Sequence, residues 1–236
     1  MFQPDTRKPI YVVLGAPRSG TSAMAWALRD QGVTMFMAAD SPDLDSPSGN
    51  QEDNLARMLN NHLMSEGSGG RHDWDNPRYV KGATDDAVER IRAYIRCRER
   101  HARGGMWGVK DPRMCFVLEP WVAAMKDLPV RWILIRRSQR KSTVASMTAM
   151  LPVKLRMSGE PAGLHRLAST WAESYHIALE LGLERTGIRP YCLTYEELLS
   201  PDGQRQLAEH FAFGAPLSSV VSSLNRRGQA RAAGRG

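Results

Sequence analysis

The chain has 236 residues, 42% of them hydrophobic and 24% charged. Those proportions fit one of the larger α/β domains and exclude a disordered, collagenous or membrane-embedded class. The formal charge is +7, but Arg226, Arg227, Arg231 and Arg235 lie in a Gly/Ala/Gln-rich tail, and without these four the surplus is +3, which suits a polyanionic small ligand better than a nucleic-acid surface.

Short apolar runs alternate with helical patterns along the chain, the mark of parallel βαβ units. Ile10–Leu14 reads as a buried strand running into a tight turn, and a helix is expected from Thr21 to just before Gly32. A short strand is predicted at 33–37. Asn50 is expected to cap the second helix, placing Glu52 and Asp53 in its first turn, with Leu55, Met58, Leu59 and Leu63 as its apolar stripe. Segment 67–77, rich in Gly and charge, is expected to form a mobile rim. Thr84 caps a long amphipathic helix bearing Val88, Ile91, Tyr94 and Ile95. Strands follow at 106–109 and 130–135, then a helix containing Ser142 and Ser146. A long helix is predicted over 163–185, a strand over 189–194 and a short helix after Pro201. With no repeat and no interior linker, residues 1–225 are expected to form a single domain and 226–236 a basic tail. The fold class is α/β, a three-layer parallel sheet.

Cys97, Cys115 and Cys192 lie far apart, without metal-ligand spacing. Each falls in an apolar segment, so buried free thiols in a reducing compartment are expected. The first apolar run is too short for a signal peptide, and no stretch of about eighteen apolar residues occurs. A cytoplasmic chain with no membrane insertion is the expectation.

The most informative stretch is Ile10-Tyr-Val-Val-Leu-Gly-Ala-Pro-Arg-Ser-Gly-Thr-Ser22. Backbone N–H groups at a helix start carry partial positive charge and bind phosphate oxygens. Gly15 and Gly20 permit close approach, and Thr21 and Ser22 add hydroxyl donors. The spacing is that of a nucleotide P-loop, but Thr21-Ser22 follows the second glycine where a triphosphatase has lysine. The cation lies inside the turn instead, at Arg18, which argues against ATP or GTP hydrolysis. A ligand-free, glycine-rich connection is the other reading of the same residues.

Ala16-Pro-Arg-Ser-Gly-Thr-Ser22 strongly resembles the 5′-phosphosulfate loop of sulfotransferases that use 3′-phosphoadenylyl sulfate (PAPS). The resemblance implies the P-loop-like fold of that family, with Ala16, Pro17, Arg18, Ser19, Gly20, Thr21 and Ser22 around the phosphosulfate. It assigns to Arg18 the neutralisation of the oxygen between phosphate and sulfate.

A 3′-phosphate needs a second anion site. Val130-Arg-Trp-Ile-Leu-Ile-Arg-Arg137 is a strand ending in paired arginines, where open α/β sheets place ligands. It is similar to the family's 3′-phosphate motif, a strand-end Arg followed by a helical Ser. That implies Arg137 with Ser146, although their spacing is nine residues where the family usually has eight. The pairing of Arg136 with Ser146, or a solvated basic turn made with Arg140 and Lys141, are the alternatives. Leu193-Thr-Tyr-Glu-Glu-Leu198 looks like a late segment of these enzymes that would put Tyr195 near adenine; packing is the other reading.

Gly108-Val-Lys-Asp-Pro-Arg113 ends another strand. Lys110 and Arg113 there are suited to charge developing on a transferring group. Bacterial members of the family often carry this Lys-Asp-Pro-Arg run. Many cytosolic members have a catalytic histidine two residues after the lysine; this chain has Pro112. The proposed base is therefore Glu52, in a segment resembling the Gly-x-x-Glu of bacterial sulfotransferases. Placed on the inward stripe with Leu55 and Leu59, its carboxyl is expected to be raised by desolvation towards a useful base. A simple helix-start preference of Glu52 and Asp53 is the alternative. Asp111 is the second base candidate, or else it orients Lys110 or caps the helix after Pro112. His62 and His72 are further options.

The sequence thus implies in-line transfer from PAPS to a hydroxyl or amine of a small-molecule or carbohydrate acceptor, releasing adenosine 3′,5′-bisphosphate. Arg18 and Lys110 stand in for a metal, and none is expected. A kinase-like phosphotransferase and a nucleic-acid-binding module are the rivals. The acceptor pocket is expected from 40–49, 67–77 and the helix after Thr84, without a readable code, and oligomeric state is not legible.

Overall fold

The computed structural model describes residues 8–36, 52–67, 77–154 and 161–214. The expectations for Asn50, 40–49, His72 with most of 67–77, and the basic tail lie outside them.

Five strands, β1 (Ile10–Leu14), β2 (Thr34–Met35), β3 (Trp107–Lys110), β4 (Val130–Arg136) and β5 (Tyr191–Thr194), form one sheet in the order β2-β3-β1-β4-β5. Every pairing is parallel. All of β1 is buried, as a central parallel strand covered on both faces must be. Its Ile10, Val12 and Leu14 face one apolar layer and Tyr11 and Val13 the other. The first layer holds α2 (Asn54–Gly67), α3 (Asp85–Ala102), α4 (Leu118–Met125) and part of α6 (Pro161–Thr186). The second holds α1 (Thr21–Asp30), α7 (Tyr195–Leu199) and α8 (Pro201–Phe211). A 3₁₀ helix (Pro112–Phe116) follows β3, and α5 (Arg140–Lys154) packs with α6 around Val144, Met147, Leu151, Leu164 and Ala168. This is the expected three-layer α/β arrangement. Among the described residues no helix is long and apolar enough to cross a membrane.

Strand order decides where a ligand can bind. From β1 the chain moves to β2 and β3 on one side, then crosses to β4 and β5 on the other, so the sheet's switch point flanks β1. In such sheets the crevice lies beyond the strands' carboxyl ends.

The start of α2 differs from the expectation. The helix begins at Asn54, and Asp53 caps it: Asp53 Oδ1 accepts the Leu55 N–H at 2.9 Å, and the Asp53 carbonyl accepts the Arg57 N–H at 2.8 Å. Glu52 and Asp53 therefore precede the helix. Its buried face is Ala56, Asn60, Leu63 and Met64, whereas Leu55 is 45% and Met58 64% exposed. Of the expected stripe, Leu63 is buried and Leu59 packs on the core, while Leu55 and Met58 do not face inward and the polar Asn60 holds a core position. Thr84 caps α3 as expected, accepting the Ala87 N–H at 3.2 Å.

The cysteines are free, but only Cys115 is buried; Cys97 is half-buried and Cys192 exposed. Cys192 lies on an edge strand, alternating with buried Leu193, so its side chain takes the uncovered face.

Gly108 leaves no room for a side chain between its neighbouring strands. A Cβ there would lie 2.7 Å from Met35 Sδ and 2.8 Å from the Tyr11 carbonyl oxygen. Gly108→Ala should therefore destabilise the fold by about 1–3 kcal/mol through overpacking. An unchanged urea midpoint would contradict this packing of β1, β2 and β3.

Candidate functional site

The turn from β1 to α1 stands at the crevice. Gly15 (φ +147°), Arg18 (φ +67°) and Gly20 (φ +112°) all have positive φ. For a non-glycine residue such as Arg18 this costs on the order of 1–3 kcal/mol, a strain that clusters at functional sites. The glycines are required by crowding as well as by dihedral. A Cβ on Gly15 would lie 2.4 Å from the Ile135 carbonyl oxygen, and one on Gly20 would lie 2.7 Å from Tyr195 Cδ2. The Ser19 hydroxyl donates to the Ile135 carbonyl at 3.0 Å, and the Ser19 N–H to the Ala16 carbonyl at 3.2 Å. Ser19 thus ties the turn to β4, and its side chain is not offered to a ligand. Thr21 is buried as well, while Ala16, Pro17 and Ser22 are half-buried. Helix α1 opens with no side-chain cap, leaving the positive end of its dipole to the crevice.

Three distant residues gather on this turn. Arg18 Nε donates to Ser146 Oγ on α5 at 3.0 Å, across 128 residues of sequence. Arg137 Nε donates to the Arg18 carbonyl at 3.2 Å. The Arg137 guanidinium lies 4.3 Å from the Tyr195 ring centroid, and the ring itself packs on Gly20. A capping box between Thr194 and Glu197 starts α7 at Tyr195 and so fixes that ring. Glu196 accepts the Ser138 N–H at 2.9 Å, pinning the turn after β4. Arg137 thus meets the Arg18 carbonyl and Ser146 the Arg18 guanidinium, while Arg136 is exposed.

Beside the turn, β3 delivers a second group. Val13 of β1 is in register with Lys110. Lys110, 3% exposed, donates to Glu52 Oε1 at 3.1 Å. Arg113 Nη1 reaches Glu52 Oε2 at 3.2 Å and Asp111 Oδ1 at 2.7 Å. Asp111, wholly buried, also accepts the Arg113 N–H at 3.0 Å and so caps the 3₁₀ helix. Two cations and two carboxylates balance one another in a nearly dry space.

Burial alone would raise the Glu52 carboxyl, as the sequence suggested. The charges and hydrogen bonds of Lys110 and Arg113 outweigh it and bring the pKa from 4.5 to about 2. The expectation of a raised Glu52 is corrected: its environment is cationic. Desolvation depresses Lys110 despite the attraction of Glu52, and burial raises Asp111 against the pull of Arg113. Asp111 caps the 3₁₀ helix after Pro112, one of the alternatives read from the sequence, and in addition it holds Arg113, which was not expected. His62 is exposed on α2 and pairs with Glu66 at 3.0 Å, outside this cluster.

Sequence reasoning missed Asn60, Trp121, and the anchor beneath Glu52. Asp53 accepts the Tyr94 hydroxyl at 2.8 Å and Arg98 Nε at 2.6 Å. The available signal was spacing: Asn60 shares the phase of Ala56, Leu63 and Met64. Among the described residues no group of three or more His, Cys, Asp or Glu is placed to hold a metal ion.

No protein-family model matches this sequence, and no curated protein does. Among solved structures, the chain is similar to the sulfotransferase domain from the curacin biosynthetic pathway. The TM-score is 0.53 with 16% identity, covering 91% of this chain and 76% of that one. The likeness extends to the fold.

Because the folded state depresses the Glu52 pKa, its contribution to stability is complete above about pH 4.5 and is lost as pH falls towards 2. Glu52→Gln should therefore be less stable than wild type at pH 7, by about 3 kcal/mol. The gap should narrow steadily below pH 4.5 in urea unfolding. A gap independent of pH would mean that Glu52 is not ion-paired.

Proposed function

We propose that this chain is a PAPS-dependent sulfotransferase acting on a hydroxyl or amine of a small-molecule or carbohydrate acceptor. One observation carries the reading: Arg18, Arg137, Ser146 and Tyr195 converge on a glycine turn that lacks the triphosphatase lysine. The positive-φ turn, tight enough to exclude a Cβ at both glycines, fits a diphosphate-like group held by backbone. The fold's likeness to a sulfotransferase domain supports the same reading.

PAPS supplies the sulfuryl group, with adenosine 3′,5′-bisphosphate as the leaving group. In this reading Arg18 and the start of α1, with Ala16, Pro17, Ser19, Gly20, Thr21 and Ser22 shaping the turn, hold the phosphosulfate. Arg137 and Ser146 take the 3′-phosphate, and Tyr195 offers a flat face to adenine. Lys110 stabilises charge on the sulfuryl oxygens. Glu52 accepts the acceptor's proton on a carboxylate oxygen.

The low pKa of Glu52 constrains this last role. While Lys110 and Arg113 both hold it, the carboxylate is a weak base. Lys110, when drawn to a sulfuryl oxygen, leaves Glu52 with one cation instead of two, and the proton affinity of Glu52 rises. Base strength is thereby tied to an occupied donor site, which restrains wasteful attack by water.

Calorimetry with adenosine 3′,5′-bisphosphate, ATP plus magnesium, and an oligonucleotide separates the three classes. The bisphosphate should bind and the others should not. With labelled PAPS and an acceptor panel, Arg18→Ala should weaken bisphosphate binding and lower transfer by roughly 10²–10³-fold. Glu52→Gln should lower transfer by about 10²–10⁴-fold with binding intact. Binding of ATP alone would favour a kinase, and binding of oligonucleotide alone a nucleic-acid module.

A further inference from the structure

Asn60 lies on the core face of α2 and is wholly buried. A buried amide is costly unless its polar atoms are bonded, and here both ends are. Asn60 Nδ2 donates to Asp111 Oδ2 at 3.1 Å, and Asn60 Oδ1 accepts Trp121 Nε1 at 2.7 Å. The amide's orientation is unambiguous, since an indole N–H only donates and a carboxylate only accepts. The bonds form an unbroken line: Trp121 to Asn60, Asn60 to Asp111, Arg113 to both Asp111 and Glu52, and Lys110 to Glu52.

We propose that Asn60 is a positioning residue: its bond to Asp111 maintains the carboxylate that aims Arg113 at Glu52. Without contact to substrate, it acts through two other side chains. The catalytic meaning rests on the proposed role of Glu52; the alignment itself does not.

The groups facing Asp111 come from several elements. Lys110 adjoins it on β3, Arg113 and Cys115 lie on the 3₁₀ helix, Glu52 precedes α2, and Tyr175 projects from α6. Burial and the negative charge of Glu52 favour protonation of Asp111; Arg113 and the Asn60 amide oppose it. A protonated Asp111 loses its charge attraction for Arg113, which keeps its ion pair with Glu52. Asn60 is the neutral member of this balance. It favours the ionised form without adding a charge that must itself be matched.

Three variants test this, read by carbon NMR of isotopically labelled aspartate carboxyls and by the pH dependence of bisphosphate release from PAPS with 4-nitrophenol as acceptor. Asn60→Leu keeps the branched shape and the number of side-chain heavy atoms and removes both bonds. It should raise the titration midpoint of Asp111, carry the acid limb of turnover upward with it, and lower turnover at pH values where wild type is still fully active. Trp121→Phe removes only the far bond and should move the Asp111 midpoint less. Asn60→Asp keeps the shape and, while its carboxyl is protonated, the same pattern of bonds. At low pH its introduced carboxyl is protonated and donates to Asp111 as the amide does. As pH rises the two carboxyls must share one proton, so activity should fall along a limb absent from wild type. An Asp111 midpoint unmoved by Asn60→Leu, or an Asn60→Asp profile that overlays wild type, overturns the proposal. Should wild type release no bisphosphate, the NMR titration still decides the role of Asn60, and calorimetry separately decides the donor reading.

Discussion

Four charges enclosed at the end of β3 have to neutralise one another, and much of the site's geometry follows from that requirement. Taking a single ion out of water costs several kcal/mol, which a partner offsets only with good geometry and satisfied hydrogen bonds. Lys110 and Arg113 meet Glu52 and Asp111 on those terms. Asp53, bonded to Tyr94 and Arg98, fixes the backbone immediately after Glu52. Asn60 closes the inner end of the cluster against Trp121. A carboxylate is thereby kept ionised within reach of two cations, yet close enough to the crevice to be 15% exposed.

The second half of the site depends on approach distance. The β1–α1 turn is pressed on the Ile135 carbonyl and the Tyr195 ring, so Gly15 and Gly20 are required, and Arg18 between them holds a strained positive φ. Because β1 lies between β3 and β4, the glycine turn and the charge cluster share one edge of the sheet. Such adjacency suits a reaction in which charge shifts from a nucleophile to a departing phosphate. The sheet supplies the rigidity, and long-range bonds such as Arg18 to Ser146 supply the alignment.

The strands and the turn were legible because each is carried by local sequence. Ile10–Leu14 is an uninterrupted apolar run, and the glycine spacing imposes its own conformation. Arg137 and Ser146 were legible as a strand-end cation and a helical hydroxyl. The local chemistry of α2 was not. Leu55 and Met58 were read as core, but Asn60 outcompetes them because its hydrogen bonds compensate its burial. Asp53 serves helix and anchor together, and its partners Tyr94 and Arg98 lie far along the chain. Nor was the sign of the Glu52 shift readable, since it is set by Lys110 and Arg113, 58 and 61 residues away. Burial follows from pattern; electrostatics follows from partners that only folding assembles.

The central claim is that the turn around Arg18 holds a phosphorylated nucleotide tail. A crystal structure with adenosine 3′,5′-bisphosphate tests it most directly. The account expects the 5′-phosphate on the turn at the start of α1 and the 3′-phosphate within hydrogen-bonding distance of Arg137 or Ser146. Nucleotide bound elsewhere, with that turn bare, would contradict it.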